Sequence, residues 1–347
     1  MRVLLETAAN TSLPSQNEGY VAPSQTVSST VTQLGQWYVN TATEKDPDDF
    51  FGNLFGGTQY ASDYTSGMGY VIRLEDGSFI IVDGGYETET HAKNLYDVLV
   101  KQSEGRDIVI AAWIFTHAHS DHAGAFKSFT SLYGSKVTVE CFIYNFPTDE
   151  AAEACGDTPN IDAISHAMAK YAGARTVVAH AGQVHRIRNA VVNILYTYDM
   201  MMPYKMVDYN ATSVVFNVEL EGSTILFLGD AGGESDSIDG EMSHMMSIYT
   251  SETLSANIVQ AAHHAIDKHN KVKEFYKLIG ADYVFVPVAN RYIKISGDKY
   301  IDIQERAAYS VFENKTRYLA GASVTVMTLD GGVSTQTYSD VNNYVNS

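Results

Sequence analysis

The segment WIFTHAHSDHAGAF, residues 113–126, places His117, His119, Asp121 and His122 within six positions, directly after an apolar run. Neutral imidazole nitrogens and a carboxylate form the donor set that Zn²⁺ prefers and that Mn or Fe also accepts. His117 and His119 are two residues apart, so on extended backbone their side chains leave the same side of the chain. Asp121 and His122 follow the expected turn into a helix and approach from another direction. One surface histidine would carry no such meaning. Four ligand-type residues at the end of a buried strand read as a metal site. Asp230 closes the apolar run TILFLGD in the same way, and its two oxygens suit it to span two cations about 3.5–4 Å apart. His263 and His264 follow a third apolar run, NIVQAA.

Strands must carry these groups to one place. The run IVIAAWIF, residues 108–115, is continuously apolar, the pattern of a strand covered on both faces. MGYVIRLEDGSFIIVDGG reads as a β-hairpin turning at Asp76-Gly77, and Ala92, Leu95, Val98 and Leu99 share one face of a following helix. Helices are expected at 121–133 and 160–172, with a strand at 136–144 between them. The second half repeats the outline. Strands AVVNILYTY and TSVVFNVELEGSTILFLGD, turning at Glu221-Gly222, precede a helix near 238–250. A strand at 256–262, a helix at 268–279, a strand at 282–288, a helix near 302–313 and a hairpin at Asp330-Gly331-Gly332 complete the chain. This alternation fits an α/β fold, a four-layer αββα sandwich. Residues 1–60 are expected to form an N-terminal arm, with DDFFGNLFGG either a loop stapled to the core by its aromatics or a flap over the pocket, and residues 61–347 a single domain.

THAHSDHAGA resembles the His-x-His-x-Asp-His signature of the metallo-β-lactamase superfamily, and further matches extend from about residue 67 to 265. The resemblance implies that Asp83, at the end of FIIVDGG, orients the histidine loop. It also implies that Asp230 bridges two metals and that His263 or His264 is the last histidine ligand. His263 is taken as the ligand, which leaves His264 as acid or oxyanion donor. Asp121 is a ligand that can also shuttle a proton. The sequence departs from the commoner family pattern in NILYTYDMMMP, where many members supply another histidine. His180 and His185, upstream, read as loop or strand surface residues. This absence and the His263-His264 pair are similar to the competence DNA-uptake hydrolase domain and the phosphorylcholine esterases, which cleave phosphoesters.

The implied activity is hydrolysis by a metal-bridging hydroxide at two divalent ions, zinc first and manganese or iron as alternatives. With 23 Lys and Arg against 41 Asp and Glu, the formal charge of −18 repels extended nucleic acid and points to a small-molecule phosphodiester or phosphotriester. An aromatic cage for a quaternary ammonium group could draw on Tyr144, Phe146, Tyr204 and Tyr209, with Lys205 and Arg291 as phosphate-binding candidates. Hydrolysis of lactones, carboxylesters or thioesters is the alternative. A non-catalytic surface-binding protein that retains its metal is a further one. No apolar stretch is long enough to span a membrane. The many Tyr, Ser, Thr and Asn residues lean towards a secreted or cell-envelope protein whose signal has been removed, with a cytoplasmic location as the alternative. Cys141 and Cys155 are too few for a disulfide framework.

Overall fold

Parallel strands covered on both faces must be apolar throughout, whereas edge strands exposed on one face alternate, and both patterns occur here. The computed structural model describes residues 20–37, 44–45, 59–60, 66–154, 161–201, 209–232, 240–267, 269–288, 292–296, 299–302 and 305–347. The loop or flap expected at 48–57 and the side chains of Cys155, Tyr204, Lys205 and Arg291 lie outside the described residues.

The first sheet is built from β1 (Ser29–Leu34), β2 (Gly69–Arg73), β3 (Phe79–Asp83), β4 (Val109–Ile114), β5 (Cys141–Tyr144) and β6 (Arg175–Val178). The second comprises β7 (Val184–Ile187), β8 (Ala190–Tyr196), β9 (Val215–Leu220), β10 (Ser223–Phe227), β11 (Ile258–Gln260), β12 (Tyr283–Val286) and β13 (Thr316–Leu319). A C-terminal hairpin of β14 (Val324–Leu329) and β15 (Val333–Tyr338) returns to the first sheet. The orders are β6-β5-β4-β3-β2-β1-β14-β15 and β7-β8-β9-β10-β11-β12-β13. Each sheet is antiparallel on one side and parallel on the other. β3, β4, β5 and β6 run parallel in the first, and β10, β11, β12 and β13 in the second.

Helices α1 (Glu89–Ser103), α2 (Ser120–Tyr133) and α3 (Ile161–Met168) cover the parallel part of the first sheet. Helices α4 (Glu241–Ile248) and α5 (Asn270–Ile279) cover the second. β4 shows why its sequence is apolar throughout: Ala112 and Ile114 face the second sheet, while Ile110 and Trp113 face the helices. These layers form the αββα sandwich expected from the sequence. At one end Arg188 crosses between the sheets, with Nε 2.8 Å from Asp76 Oδ2 and Nη2 2.8 Å from both Glu140 oxygens.

Some elements differ from expectation. β1 lies at the centre of its sheet between β2 and β14, wholly buried, so part of the stretch expected to be an arm belongs to the core. The strand expected at 136–144 splits at Glu140, the helix expected near 302–313 spans only Ala307–Val311 and is followed by β13, and a further helix, not expected, forms at Val341–Val345. His185 is a correction too. It is not a surface residue but a buried one, pointing inward from the alternating edge strand β7, whereas His180 is exposed.

Two predictions arise from groups in this core. Tyr70 stands between the sheets with ring centroids 5.2 Å from Phe227 and 5.6 Å from Phe285, and among the described residues its buried hydroxyl has no hydrogen-bond partner. Tyr70→Phe removes that desolvated group, so urea denaturation will show stability raised by about 1 kcal/mol. A loss of stability would show that the hydroxyl is bonded after all. His185 has only a 3.3 Å approach to Gln183 Oε1, and burial lowers its pKa below the ordinary 6.5. The unfolded chain therefore binds the extra proton first. Stability is lost as pH falls through 6.5 and stops falling once the folded ring also protonates. In His185→Gln the drop in Tm between pH 7.5 and 5.5 shrinks by roughly 1–3 °C. An unchanged drop would assign that acid sensitivity elsewhere.

Candidate metal centre

Strand ends in α/β sheets gather ligands because loops leave there over exposed backbone. Here both parallel halves end at the same edge of the sandwich. β3 delivers Asp83, β4 delivers Thr116 and the histidine loop, β10 delivers Asp230, and β11 delivers His263 and His264.

Asp83 adopts φ 55°, a left-handed conformation that aspartate tolerates better than most residues. Its buried carboxylate accepts hydrogen bonds from Thr116 N and Thr116 Oγ1, each 2.8 Å away, and lies 2.8 Å from His122 Nδ1. Trp113 Nε1 donates to its backbone oxygen at 2.9 Å. With His122 Nδ1 committed to Asp83, Nε2 faces Asp230 Oδ1 at 3.1 Å. His119 caps α2, and its Nδ1 lies 2.9 Å from His117 Nε2. In the motif itself, a Cβ on Gly124 would come within 2.5 Å of Glu87 N, so only glycine lets the start of α2 pack on the loop after β3.

The Gly229-Asp230 turn is held by Gln260. Its Oε1 accepts from Leu228 N and Gly229 N at 2.7 and 2.8 Å, and its Nε2 donates to Gly229 O and Ala261 O. Gly229 has φ 55°, and a Cβ there would meet Thr116 Cβ at 2.8 Å. Asp230 N donates to Ser213 Oγ at 3.0 Å, and that hydroxyl lies 3.5 Å from His117 Nδ1.

The doubled histidine forms a left-handed turn, with φ of 46°, 48° and 55° at His263, His264 and Ala265. Such backbone costs non-glycine residues roughly 1–2 kcal/mol each. It also decides between the two rings. His264 Nδ1 lies 2.8 Å from Pro287 O, and its Nε2 is 3.1 Å from Asp121 Oδ2 and 3.8 Å from Asp230 Oδ2. His263 turns the other way, towards Asn210 Nδ2 at 3.4 Å and Asp267 Oδ2 at 3.9 Å. Of the two rings left open by the sequence, it is therefore His264 that falls within a set of candidate ligands, while His263, taken first as the ligand, does not.

Two donor sets result, His117 with His122 and Asp230, and Asp121 with His122 and His264; within each, all donor atoms lie within 4.8 Å of one another. The residues fit a cation. Buried His122 Nε2 and Asp230 Oδ1 face each other at 3.1 Å, and among the described residues neither makes a well-directed hydrogen bond, an arrangement suited to a shared positive centre. The charge balance agrees. Burial and the neighbouring His122 and His119 rings hold His117 well below its ordinary pKa, in the neutral form that ligates metals. Burial opposes a charged His122, yet the carboxylates of Asp230, Asp83 and Asp121 outweigh it and raise its pKa. Burial likewise opposes ionised Asp230, but His122 and His264 pull its pKa well down. Positive charge is wanted here.

Of the aromatic residues, Tyr209 packs on the ligand rings, its centroid 5.0 Å from His119 and 6.3 Å from His117. Tyr144 and Phe146 pair with each other at 4.5 Å, and Phe146 also approaches Phe115 at 6.1 Å, against the helix-side core. Tyr209 is thus a wall of the histidine cluster, and the expected cage is not assembled by these three. Thr116, Ser213, Gln260 and Asn210 had not been singled out from the sequence. Gln260 carried a signal, being a lone amide within an apolar strand run.

Residues 65–160 match the family model described as the metallo-beta-lactamase superfamily. No curated protein matches the chain. Similar solved structures include the metallo-beta-lactamase fold protein YhfI from Bacillus subtilis, 13% identical, covering 89% of this chain and 100% of that one with a TM-score of 0.47. A diphosphatase of the PhnP family is 13% identical, covering 74% of this chain and 85% of its own, with a TM-score of 0.40. Zn²⁺-bound PqqB from Methylobacterium extorquens is 9% identical, covering 67% and 71%, with a TM-score of 0.37. The chain has the metallo-β-lactamase fold, and that fold implies divalent-metal binding. Among the described residues no helix is long and apolar enough to cross a membrane.

Proposed function

We propose that the protein is a metal-dependent hydrolase of small phosphodiesters or phosphotriesters. The observation that carries this reading is the convergence of His117, His122 and Asp230 with Asp121 and His264 at one sandwich edge. His119, 2.9 Å from His117, joins them. These six residues would hold two divalent ions, zinc first, which when bound supply Lewis acidity and lower the pKa of water towards neutrality.

The chain's own groups set the geometry. Asp83 fixes His122 through Nδ1, so that Nε2 presents its lone pair. Pro287 O does the same for His264. Tyr209 closes one side against the imidazoles and keeps water from them. His263, 25% exposed and outside the donor sets, takes the role of handing a proton to the leaving oxygen. The charge of −18 favours compact substrates over polyanions.

The test is a rate panel with Zn²⁺ or Mn²⁺ supplied. Aryl phosphodiesters or triesters are expected to turn over at least about tenfold faster than carboxylesters, thioesters and lactones. Faster cleavage of a lactone or thioester would replace the phosphoester assignment. No turnover of any class would favour a non-catalytic metal protein.

A further inference from the structure

A strand in the middle of a covered parallel sheet reaches no water, so an amide side chain there must find its partners within the protein. Gln260, the last residue of β11, is such a group, with no exposed surface. Ile258, two residues earlier and on the same side of the strand, packs between the sheets, so the position calls for an apolar residue. The amide instead makes four hydrogen bonds of 2.7 to 2.9 Å, Oε1 accepting twice and Nε2 donating twice. That fills both lone pairs of the oxygen and both protons of the nitrogen. No other side chain of this length carries that set.

The four partners say what the amide does. The ladder between β10 and β11 pairs Ile225 with Ile258 and Leu226 with Val259, and goes no further, because the chain turns away at Gly229 with φ 55°. Leu228 N and Gly229 N lie beyond the ladder, and Gln260 Oε1 takes them where a strand carbonyl would have stood. On the other side, Gly229 O accepts from Gln260 Nε2 at 2.9 Å and from His263 N at 3.0 Å. Gln260 therefore ties together the turn that carries Asp230 and the turn that carries His264, whose Oδ2 and Nε2 end 3.8 Å apart. All four bonds go to backbone. The amide acts on the ligands only through the chain that bears them.

We propose that Gln260 is a positioning residue of the metal centre, holding the second sheet's two ligands, Asp230 and His264, in register with each other before an ion arrives. The inference rests on the reading of these residues as metal ligands, and it requires no particular substrate. The test measures Zn²⁺ affinity of the full folded chain by competition with a chromogenic chelator, beside urea denaturation of the metal-free chain. Four proteins are compared: the parent, Gln260→Glu, Gln260→Met and Leu99→Ala. Gln260→Glu keeps the shape and, as a buried neutral acid, loses part of the bonding; Gln260→Met keeps the length and loses all of it. Leu99, wholly buried in the helix-side core on α1, supplies lost stability without touching either turn. Affinity is expected to fall about tenfold in Gln260→Glu and up to about 100-fold in Gln260→Met, while Leu99→Ala binds like the parent. If Gln260→Met does not fold, Gln260→Glu decides. Parent-like affinity in the folded Gln260 variants would overturn the proposal and leave the metal centre standing. So would an equal loss in Leu99→Ala, which would assign the effect to stability alone. A parent chain that binds no Zn²⁺ would overturn the metal centre itself, and this inference with it.

Discussion

Asp230→Asn is expected to leave a folded protein that retains fewer than two divalent ions per chain and has lost turnover. The substitution keeps the shape of a residue only 2% exposed and keeps its backbone bond to Ser213 Oγ. What it removes is negative charge and one of two acceptor oxygens, at a carboxylate that three ligand-type imidazoles approach. His122 Nε2 and His264 Nε2 lie 3.1 and 3.8 Å from its oxygens, and His117 Nε2 is 4.0 Å away. Losing about 4 kcal/mol of transition-state stabilisation corresponds to a rate loss of about 10³-fold. Elemental analysis and steady-state assays at saturating metal check both parts. Two ions per chain with turnover within tenfold of the parent would remove Asp230 from the centre.

Asp83 separates stability from affinity. Asp83→Ala strips three buried donors of their acceptor: Thr116 N, Thr116 Oγ1 and His122 Nδ1. It also places a Cβ-bearing residue with no polar side chain at φ 55°. Chemical denaturation should show a loss of about 3–5 kcal/mol, the cost of breaking a buried polar network from one side. Asp83→Asn is predicted to behave differently. Asparagine tolerates the left-handed backbone and still accepts from Thr116 N, so most stability returns. Its amide now donates towards His122 Nδ1, so the ring changes tautomer and its proton moves to Nε2, facing Asp230. Competition with a chromogenic chelator should then show metal affinity reduced about 10–100-fold. Equal affinity for the parent and Asp83→Asn would mean that His122 is not held by this contact.

Much of the site is legible in the chain because its groups sit at the ends of apolar runs. The resemblance placed Asp83, and apolar run followed by polar residue placed Asp230 and the histidine loop. The pattern failed where burial and polarity disagree. β1 is Ser-Thr-Val-Thr-Gln-Leu, and its Thr32 and Gln33 are almost wholly enclosed, so no hydropathy pattern reveals a central strand. β13 failed for the opposite reason: Thr-Arg-Tyr-Leu is only partly covered. The choice between His263 and His264 lay beyond sequence because the turn there is left-handed. Three consecutive residues with positive φ reorient the rings in a way that neither strand nor helix periodicity anticipates.

Each donor set joins the two sheets: His117 and His122 come from the first and Asp230 and His264 from the second. Neither sheet can hold such an ion alone, so separating them must break its coordination. A bound cation would therefore act on the lifetime of the native state as well as on its equilibrium. If the sheets part in the unfolding transition state, loading the site slows unfolding while leaving refolding of the metal-free chain nearly untouched. The metal would then work as a rivet through the sandwich, and resistance to proteolysis would follow its occupancy.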